Sequence, residues 1–145
     1  MLKSKHYYLP LLCLMFAHSA ISQTSAWNAP ADAIKVANPL ANNSAATNAG
    51  AILFKNQCFV CHGSKGKGDG PAGMSLSPRP ANLQSARVAS ETDGSLFWKI
   101  STGHSPMPSF KATLSEKERW EVVNFIRSLQ KTYQAPSNKS QLSEK

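Results

Sequence analysis

Cys58-Phe59-Val60-Cys61-His62 is the stretch around which this 145-residue chain is organised. The two cysteines are three residues apart, so on one helical turn both thiols lie along the same edge of a flat ring. A C-x-x-C-H run is the pattern by which a haem is attached, with the thiols adding to two vinyl groups and the histidine reaching the iron. The pattern predicts one covalently attached haem c, with Cys58 and Cys61 as thioethers and His62 as proximal ligand.

Two other chemistries use cysteines at this spacing. A redox-active dithiol pair of the thioredoxin kind needs alternating strands and helices around it, and no run of β-branched residues here is long enough for a buried strand. Structural zinc needs four ligands. Beyond residue 22 the candidates are Cys58, Cys61, His62 and His104. Because the two histidines do not form a second close-spaced pair, zinc and dithiol chemistry are the weaker interpretations.

The first 22 residues have the layout of a secretory signal peptide. Lys3 and Lys5 give a basic start, residues 7–17 are apolar, and Ala20-Ile21-Ser22 offers small residues for cleavage. The apolar core is shorter than the roughly 20 residues that span a bilayer. We therefore expect cleavage, a periplasmic or otherwise exported protein, and no membrane span afterwards; an uncleaved anchor is the weaker alternative.

Composition and pattern divide the chain into four segments. The signal peptide covers 1–22, and 23–47 is a flexible linker rich in Ala, Asn, Ser and Pro. A haem-binding domain is expected at 48–132, where the aliphatic and aromatic residues cluster. The polar segment 133–145 is expected to be a disordered tail.

The formal net charge is +8, from 16 basic and 8 acidic side chains. Loss of Lys3 and Lys5 with the signal peptide would reduce it to +6. The lysines are scattered and carry no interleaved aromatic platform, which argues against nucleic acid. With the haem motif, the charge favours redox protein partners that have acidic docking surfaces. Candidate docking residues are Lys65, Lys67, Lys99 and Lys111.

The helix that leads into the haem motif is expected to start with Asn48 as its N-cap. Gly50, Phe54 and Cys58 recur at four-residue spacing, so they share one face of this helix. A glycine on that face permits close approach by a second helix.

The last helix begins with a capping box, Ser115-Glu116-Lys117-Glu118. Apolar residues then recur at the i, i+3, i+4 and i+7 spacing of one helical face. We expect this face to cross the first helix at Gly50 and Phe54, so that the two ends of the domain close around the haem. Its members are Val122, Phe125, Ile126 and Leu129.

A middle helix is expected after Thr92 or Asp93, either of which can cap it, and Gly103 should end it. Trp98 on this helix can bond a haem propionate through its indole N–H or fill the core. The apolar walls of the haem pocket are expected from Phe54, Leu83, Leu96, Ile100 and Phe110.

Two loops connect these helices. Residues 63–71 are dense in glycine but lack the order of a phosphate-binding loop, so we expect backbone turning tightly beside the porphyrin. The proline-rich stretch 78–83 should be extended. One of its carbonyls, Pro80 in our prediction, is expected to accept the second ring N–H of His62 and fix the tautomer.

Met107 lies between two prolines, which excludes a regular helix or central strand and predicts a stiff extended loop. Such a loop can deliver a thioether to the sixth position of the iron. Downstream of a haem motif we expect Met107 to be the distal ligand. His104 is the main rival, since it would give bis-histidine ligation, and Met74 ranks third.

These landmarks together make residues 48–129 resemble a small soluble monohaem cytochrome c of the bacterial, His/Met-ligated kind. The resemblance rests on the haem motif, the Met-Pro loop and the ending Trp120-x-x-Val123-x-Phe125-Ile126-Arg127-Ser128-Leu129. It implies an all-α cytochrome c fold of three to five helices around one haem, with the N- and C-terminal helices crossing. It further implies that His62 and Met107 are the metal ligands. The link from Gly103 to Met107 is shorter than in some members.

With both axial positions filled, the iron has no vacant site for a substrate. The expected function is therefore that of a monomeric one-electron carrier in an exported electron-transfer chain, not an enzyme. One alternative is a haem subunit or docking module of a larger periplasmic oxidoreductase. The other is a haem peroxidase or gas-binding protein whose distal site can open.

Overall fold

Seven short and long helices make up the part of the chain that the computed structural model describes, residues 27–132. No named strand occurs among these residues, and an isolated bridge joins His104 to Met107. The all-α prediction is therefore confirmed, and helices of only three or four residues raise the number above the three to five expected. The helices are α1 (Ala31–Ile34), α2 (Ser44–Gln57), α3 (Phe59–His62), a 3-10 turn at Gly73–Ser75, α4 (Ala86–Ala89), α5 (Asp93–Thr102) and α6 (Glu116–Thr132).

The crossing of the first long helix and the last is confirmed. A Cβ atom on Gly50 of α2 would lie only 1.9 Å from the Glu121 carbonyl oxygen of α6, so the two backbones touch at this point. One turn further on, the rings of Phe54 and Phe125 pack with centroids 5.1 Å apart. The crossing thereby fixes the end of α2 from which the haem motif continues.

The start of α2 differs from the prediction. Asn43, not Asn48, is the N-cap, and its side chain accepts a hydrogen bond from the Ala46 amide at 3.0 Å. Both asparagines can cap a helix. Ala46 is buried, and its burial stabilises an additional first turn of α2. The alanine-rich sequence of this turn has no periodic pattern that would predict it.

The described part of the predicted linker, residues 27–47, is also structured. It contains α1 and the first residues of α2, and Asn38 donates hydrogen bonds to Asp93 and Asn124, both at 2.8 Å. Fixed contacts to α5 and α6 thus replace the expected flexible chain. The predicted signal peptide and the tail at 133–145 lie outside the described residues.

The capping predictions for the other long helices are confirmed. Thr92 accepts from the Ser95 amide at the start of α5, and Gly103 follows its end. Ser115 and Glu118 form the reciprocal bonds of a capping box before α6, with the Ser115 amide donating to Glu118 at 2.8 Å and the Glu118 amide donating to the Ser115 hydroxyl at 3.3 Å.

A single apolar cluster lies between α2, α5 and α6 and the loops that connect them. All five residues predicted to wall the pocket belong to it, together with residues of α4, α6 and the loop before α6. Cys58 and Met107 pack against its edge. Within 27–132, no helix combines the length and apolar character that crossing a membrane requires. The cluster consists of Phe54, Leu83, Val88, Leu96, Ile100, Phe110, Leu114, Trp120, Val122, Val123 and Ile126.

Candidate haem site

The two cysteines of the motif lie at the junction of α2 and α3 and within α3. Cys58 is the C-cap of α2 and directly precedes α3, so Cys61 follows on the next turn, with its amide donating to the Cys58 carbonyl at 3.2 Å. Both thiols are half-buried and unpaired. Burial, with the adjacent Cys61 acting in the same direction, raises the pKa of the Cys58 thiol to about 12.

This pKa argues against the dithiol alternative. Reactive cysteines of redox enzymes are nucleophiles because their surroundings lower the thiol pKa, whereas Cys58 is held neutral. The alternating strands of such enzymes are also missing from residues 27–132. In the same residues no group of three or more His, Cys, Asp or Glu side chains is arranged to hold a metal ion. The four-ligand zinc site is therefore not formed there.

His62 is oriented by a backbone carbonyl, as expected, but the acceptor is Ala81 and not Pro80. The ring Nδ1 lies 3.3 Å from the Ala81 oxygen, while the Pro80 oxygen faces Gly68, where a Cβ would be 2.2 Å away. A hydrogen bond at Nδ1 fixes the tautomer in which Nε2 has a free lone pair. Burial lowers the pKa of His62, opposed in part by this bond, so the ring is neutral near pH 7.

The glycine-rich loop turns back against the haem motif. Amides of the loop and of the residue after it donate to the last three carbonyls of the motif: Gly68 to His62 at 2.9 Å, Gly70 to Cys61 at 3.1 Å and Ala72 to Val60 at 2.9 Å. These bonds satisfy carbonyls that the short α3 leaves without partners. They also hold the motif in place, which confirms the tight turning that the sequence predicts.

Met107 lies in a closed turn, where an extended loop was predicted. His104 and Met107 exchange both backbone hydrogen bonds, at 2.9 and 2.8 Å. The Met107 side chain is half-buried and packs against the core. Of its rivals, His104 is exposed and stacks on Trp27, and Met74 is 49% exposed. Met107, unlike the exposed Met74, packs on the apolar cluster that Cys58 also contacts.

The predicted docking lysines divide into two kinds. Lys65, Lys67 and Lys111 are exposed. Lys99 is not a free charge, because its side chain is 13% exposed and pairs with Glu91. Its inclusion in the docking set is therefore wrong: α5 directs it toward Glu91, a partner eight residues earlier that spacing does not reveal.

Trp27 is the contact residue that sequence reasoning missed. It precedes α1 and stacks on His104 with centroids 5.3 Å apart and ring planes 21° apart. Trp98 lies next to it, at 6.5 Å between centroids, and so has an aromatic partner within the protein. The signal available in the sequence was a lone tryptophan in an otherwise polar segment. Such a tryptophan indicates a packing contact.

The residues present fit a covalently held haem. Two unpaired thiols stand next to a neutral imidazole whose second nitrogen is committed to a carbonyl, and a methionine packs on the same apolar cluster as one of the thiols. A neutral imidazole with one nitrogen bonded to a carbonyl is the form in which histidine serves as a proximal ligand.

Comparisons with known proteins give a match to a family model and similarity to solved structures. The family model described as Cytochrome C oxidase, cbb3-type, subunit III, matches residues 45–126. A chain of the Kuenenia stuttgartiensis reducing HAO-like protein complex Kustc0457/Kustc0458 is similar in structure, with a TM-score of 0.57 and 28% identity over 65% of this chain. The similar region spans 49% of that chain. The KustC0563 c-type cytochrome gives a TM-score of 0.48 at 24% identity, covering 56% of this chain and 96% of its own. No curated protein matches.

The matched family implies a haem c cofactor and haem-based electron transfer. Its match includes the C-x-x-C-H motif, the Met107 turn and most of α6. Because the match covers more than half of the chain, the protein belongs to the family of the cytochrome C oxidase, cbb3-type, subunit III, and is a small c-type cytochrome.

Proposed function

We propose that this cytochrome is an exported one-electron carrier that holds a single haem c through Cys58 and Cys61, with His62 and Met107 as the axial ligands. The bound haem would supply the exchange of one electron between Fe(II) and Fe(III). The chain's own residues supply attachment, orientation and an apolar surrounding.

The observation that carries this proposal is the state of His62. Its Nδ1 faces the Ala81 carbonyl at 3.3 Å, burial keeps the ring neutral, and two unpaired thiols precede it within four residues. An imidazole in this state offers one lone pair, at Nε2, in a fixed direction. That is the arrangement a proximal ligand needs.

Met107 supports a carrier and not an enzyme. A thioether is a soft ligand that favours the reduced metal, and the buried apolar cluster against which it packs disfavours additional charge. With His62 and Met107 both committed, no position is left for a substrate. Exposed Lys65 and Lys67, in the loop that follows His62, are suited to an acidic redox partner.

A second candidate function is that of a haem subunit within a larger periplasmic oxidoreductase. The structural similarity to about half of a chain from a reducing HAO-like protein complex favours it. Purification from the native host under gentle conditions distinguishes the two: a free carrier elutes alone, and a subunit elutes with its partner.

The ligand assignment is tested by visible absorption spectra of the oxidised and reduced protein, in wild type and in Met107→Ala. We expect a low-spin c-type spectrum, with a weak methionine-to-iron charge-transfer band in the oxidised form that the substitution abolishes. Met74→Ala is the matched control and should leave that band unchanged, because Met74 is exposed.

Other outcomes would contradict the proposal in recognisable ways. A band that persists in Met107→Ala would exclude Met107 as ligand. A high-spin spectrum with rapid carbon monoxide binding by the wild type would indicate an open site and support a peroxidase or gas-binding protein. Absence of haem would exclude the carrier altogether. Export is tested by the mass of the mature protein, which should start near residue 23.

A further inference from the structure

We propose that residues 27–43, here named the strap, hold the His104–Met107 turn in place, with Trp27 as the positioning residue. The inference rests on the proposed role of Met107 as the distal ligand. It goes beyond that role because it assigns a function to a segment that lies outside the family match, which begins at residue 45.

The strap is anchored along α5 at its middle. Thr92 donates its hydroxyl to the Ile34 carbonyl at 2.9 Å. A Cβ on Gly94 would lie 2.1 Å from the Ala33 carbonyl oxygen and 2.7 Å from that of Val36, so the strap backbone lies directly on the start of α5. Only glycine permits so close an approach.

A second anchor connects the strap to α6. The Asn38 amide bridges Asp93 and Asn124, at 2.8 Å each, and Asn124 donates to the Leu40 carbonyl at 2.6 Å. Asn124 is itself buried. Together the two anchors fix the last residues of α1 and the chain that follows it, and Trp27 lies four residues before the start of α1.

Trp27, at the start of the strap, contacts the turn. Its ring stacks on His104 at 5.3 Å, and the Lys99 ammonium, paired with Glu91, lies 5.4 Å from the ring centroid. Tryptophan is thus placed between α5 and the turn, with a cation on one contact and an imidazole on another.

The position of His104 determines that of Met107. The two residues exchange both of their backbone hydrogen bonds, so a displacement of His104 either carries Met107 with it or breaks the pair. The same stack holds His104, the rival ligand, on the exposed side of the turn. Trp27 therefore restrains Met107 and also holds His104, the rival ligand, in the aromatic stack.

The test uses the haem-containing protein and two measurements. The first is amide hydrogen exchange at His104 and Met107, whose N–H groups bond to each other's carbonyls. The second is the rate at which cyanide replaces the distal ligand of the oxidised protein. In Trp27→Ala we expect both rates to increase roughly two- to tenfold, the factor that corresponds to one aromatic pair. Trp27→Phe, which retains a ring, should restore most of the wild-type behaviour.

Val122→Ala is the matched control, because it removes buried side-chain volume near the crossing of α2 and α6 and leaves the rings and the cation that contact Trp27 unchanged. When the two variants are compared at the same loss of global stability, Val122→Ala should raise the rates of amide exchange and of cyanide binding only as far as global unfolding does. If Trp27→Ala behaves like Val122→Ala, the strap does not hold the turn. If the exchange rates rise but Met107→Ala leaves the spectrum unchanged, the strap is confirmed and the ligand assignment alone is wrong.

Discussion

Replacement of Gly50 by alanine should separate α2 from α6 and destabilise the protein. The added Cβ would lie 1.9 Å from the Glu121 carbonyl oxygen, against about 3.4 Å for an ordinary contact. The backbones must therefore move apart by more than 1 Å, which also loosens the Phe54–Phe125 pair at 5.1 Å. An overlap with backbone, which cannot rotate away, belongs near the upper end of overpacking costs, about 3 kcal/mol.

Alanine has a higher helix propensity than glycine, which raises the free energy of unfolding by about 1 kcal/mol. The net loss is therefore about 2 kcal/mol, or roughly 8 to 16 °C in the melting temperature of a domain of this size. The assay is urea and thermal unfolding followed by far-UV circular dichroism. Asn48→Ala, at an exposed position of the same helix, is the matched control and should stabilise slightly. A Gly50→Ala protein as stable as wild type would show that the helices do not touch here.

Three further predictions concern charge, attachment and pH. Lys67→Gln should slow oxidation of the reduced protein by ferricyanide at least about twofold at low salt. This is the effect of one charge about 10 Å from an opposite charge in water. Lys99→Gln should change that rate less and should lower the melting temperature, because Lys99 pairs with Glu91. Serine at both thiols of the haem motif should allow the haem to be extracted by acidic acetone, which leaves the wild-type haem attached. Bonds from the Ser115 hydroxyl and amide lower the pKa of Glu118, so the stability they add is present above the ordinary glutamate pKa and lost as pH falls through the lowered value. Ser115→Ala should therefore show a weaker loss of unfolding free energy between about pH 6 and about pH 3.

The features that the sequence predicts correctly are those written in local spacing. The recurrence of Gly50 and Phe54 predicts the face on which α6 packs, and the pattern from Ser115 to Glu118 predicts the start of α6; both are confirmed. Such signals are read within one or two helical turns, and no distant residue competes with them.

The features that sequence reasoning missed depend on distant partners or on choices between equivalent neighbours. Asn43 and Asn48 are equally good caps, and the burial of Ala46 decides between them. Pro80 and Ala81 have adjacent backbone carbonyls, and the tertiary fold decides that the Ala81 carbonyl faces His62. Trp27 contacts a residue 77 positions away in the chain. No periodicity carries that information.

The two sides of the proposed haem site are held by contacts of different range, and this difference predicts an order of unfolding. Cys58, Cys61 and His62 lie within five residues; Cys58 bonds within the helices that meet there, and the carbonyls of Cys61 and His62 accept from the loop that directly follows. The turn of Met107 depends instead on contacts with other elements: the Phe110 amide donates to the Ile100 carbonyl at 3.1 Å, and Trp27 stacks on the turn from the other end of the domain.

Elements with few local bonds open before the global transition. We therefore expect the methionine charge-transfer band of the oxidised protein to disappear at lower urea concentration than the helical circular dichroism signal. The haem should remain bound to the chain throughout, because its attachment is covalent and local. Addition of imidazole provides the control: as an external ligand that captures the opened iron, it should lower the urea midpoint of the band without moving that of the helices by a comparable amount. Coincident midpoints for both signals would mean that the Met107 turn is as firmly held as the helices, and that the non-local contacts at this turn are stronger than their number suggests.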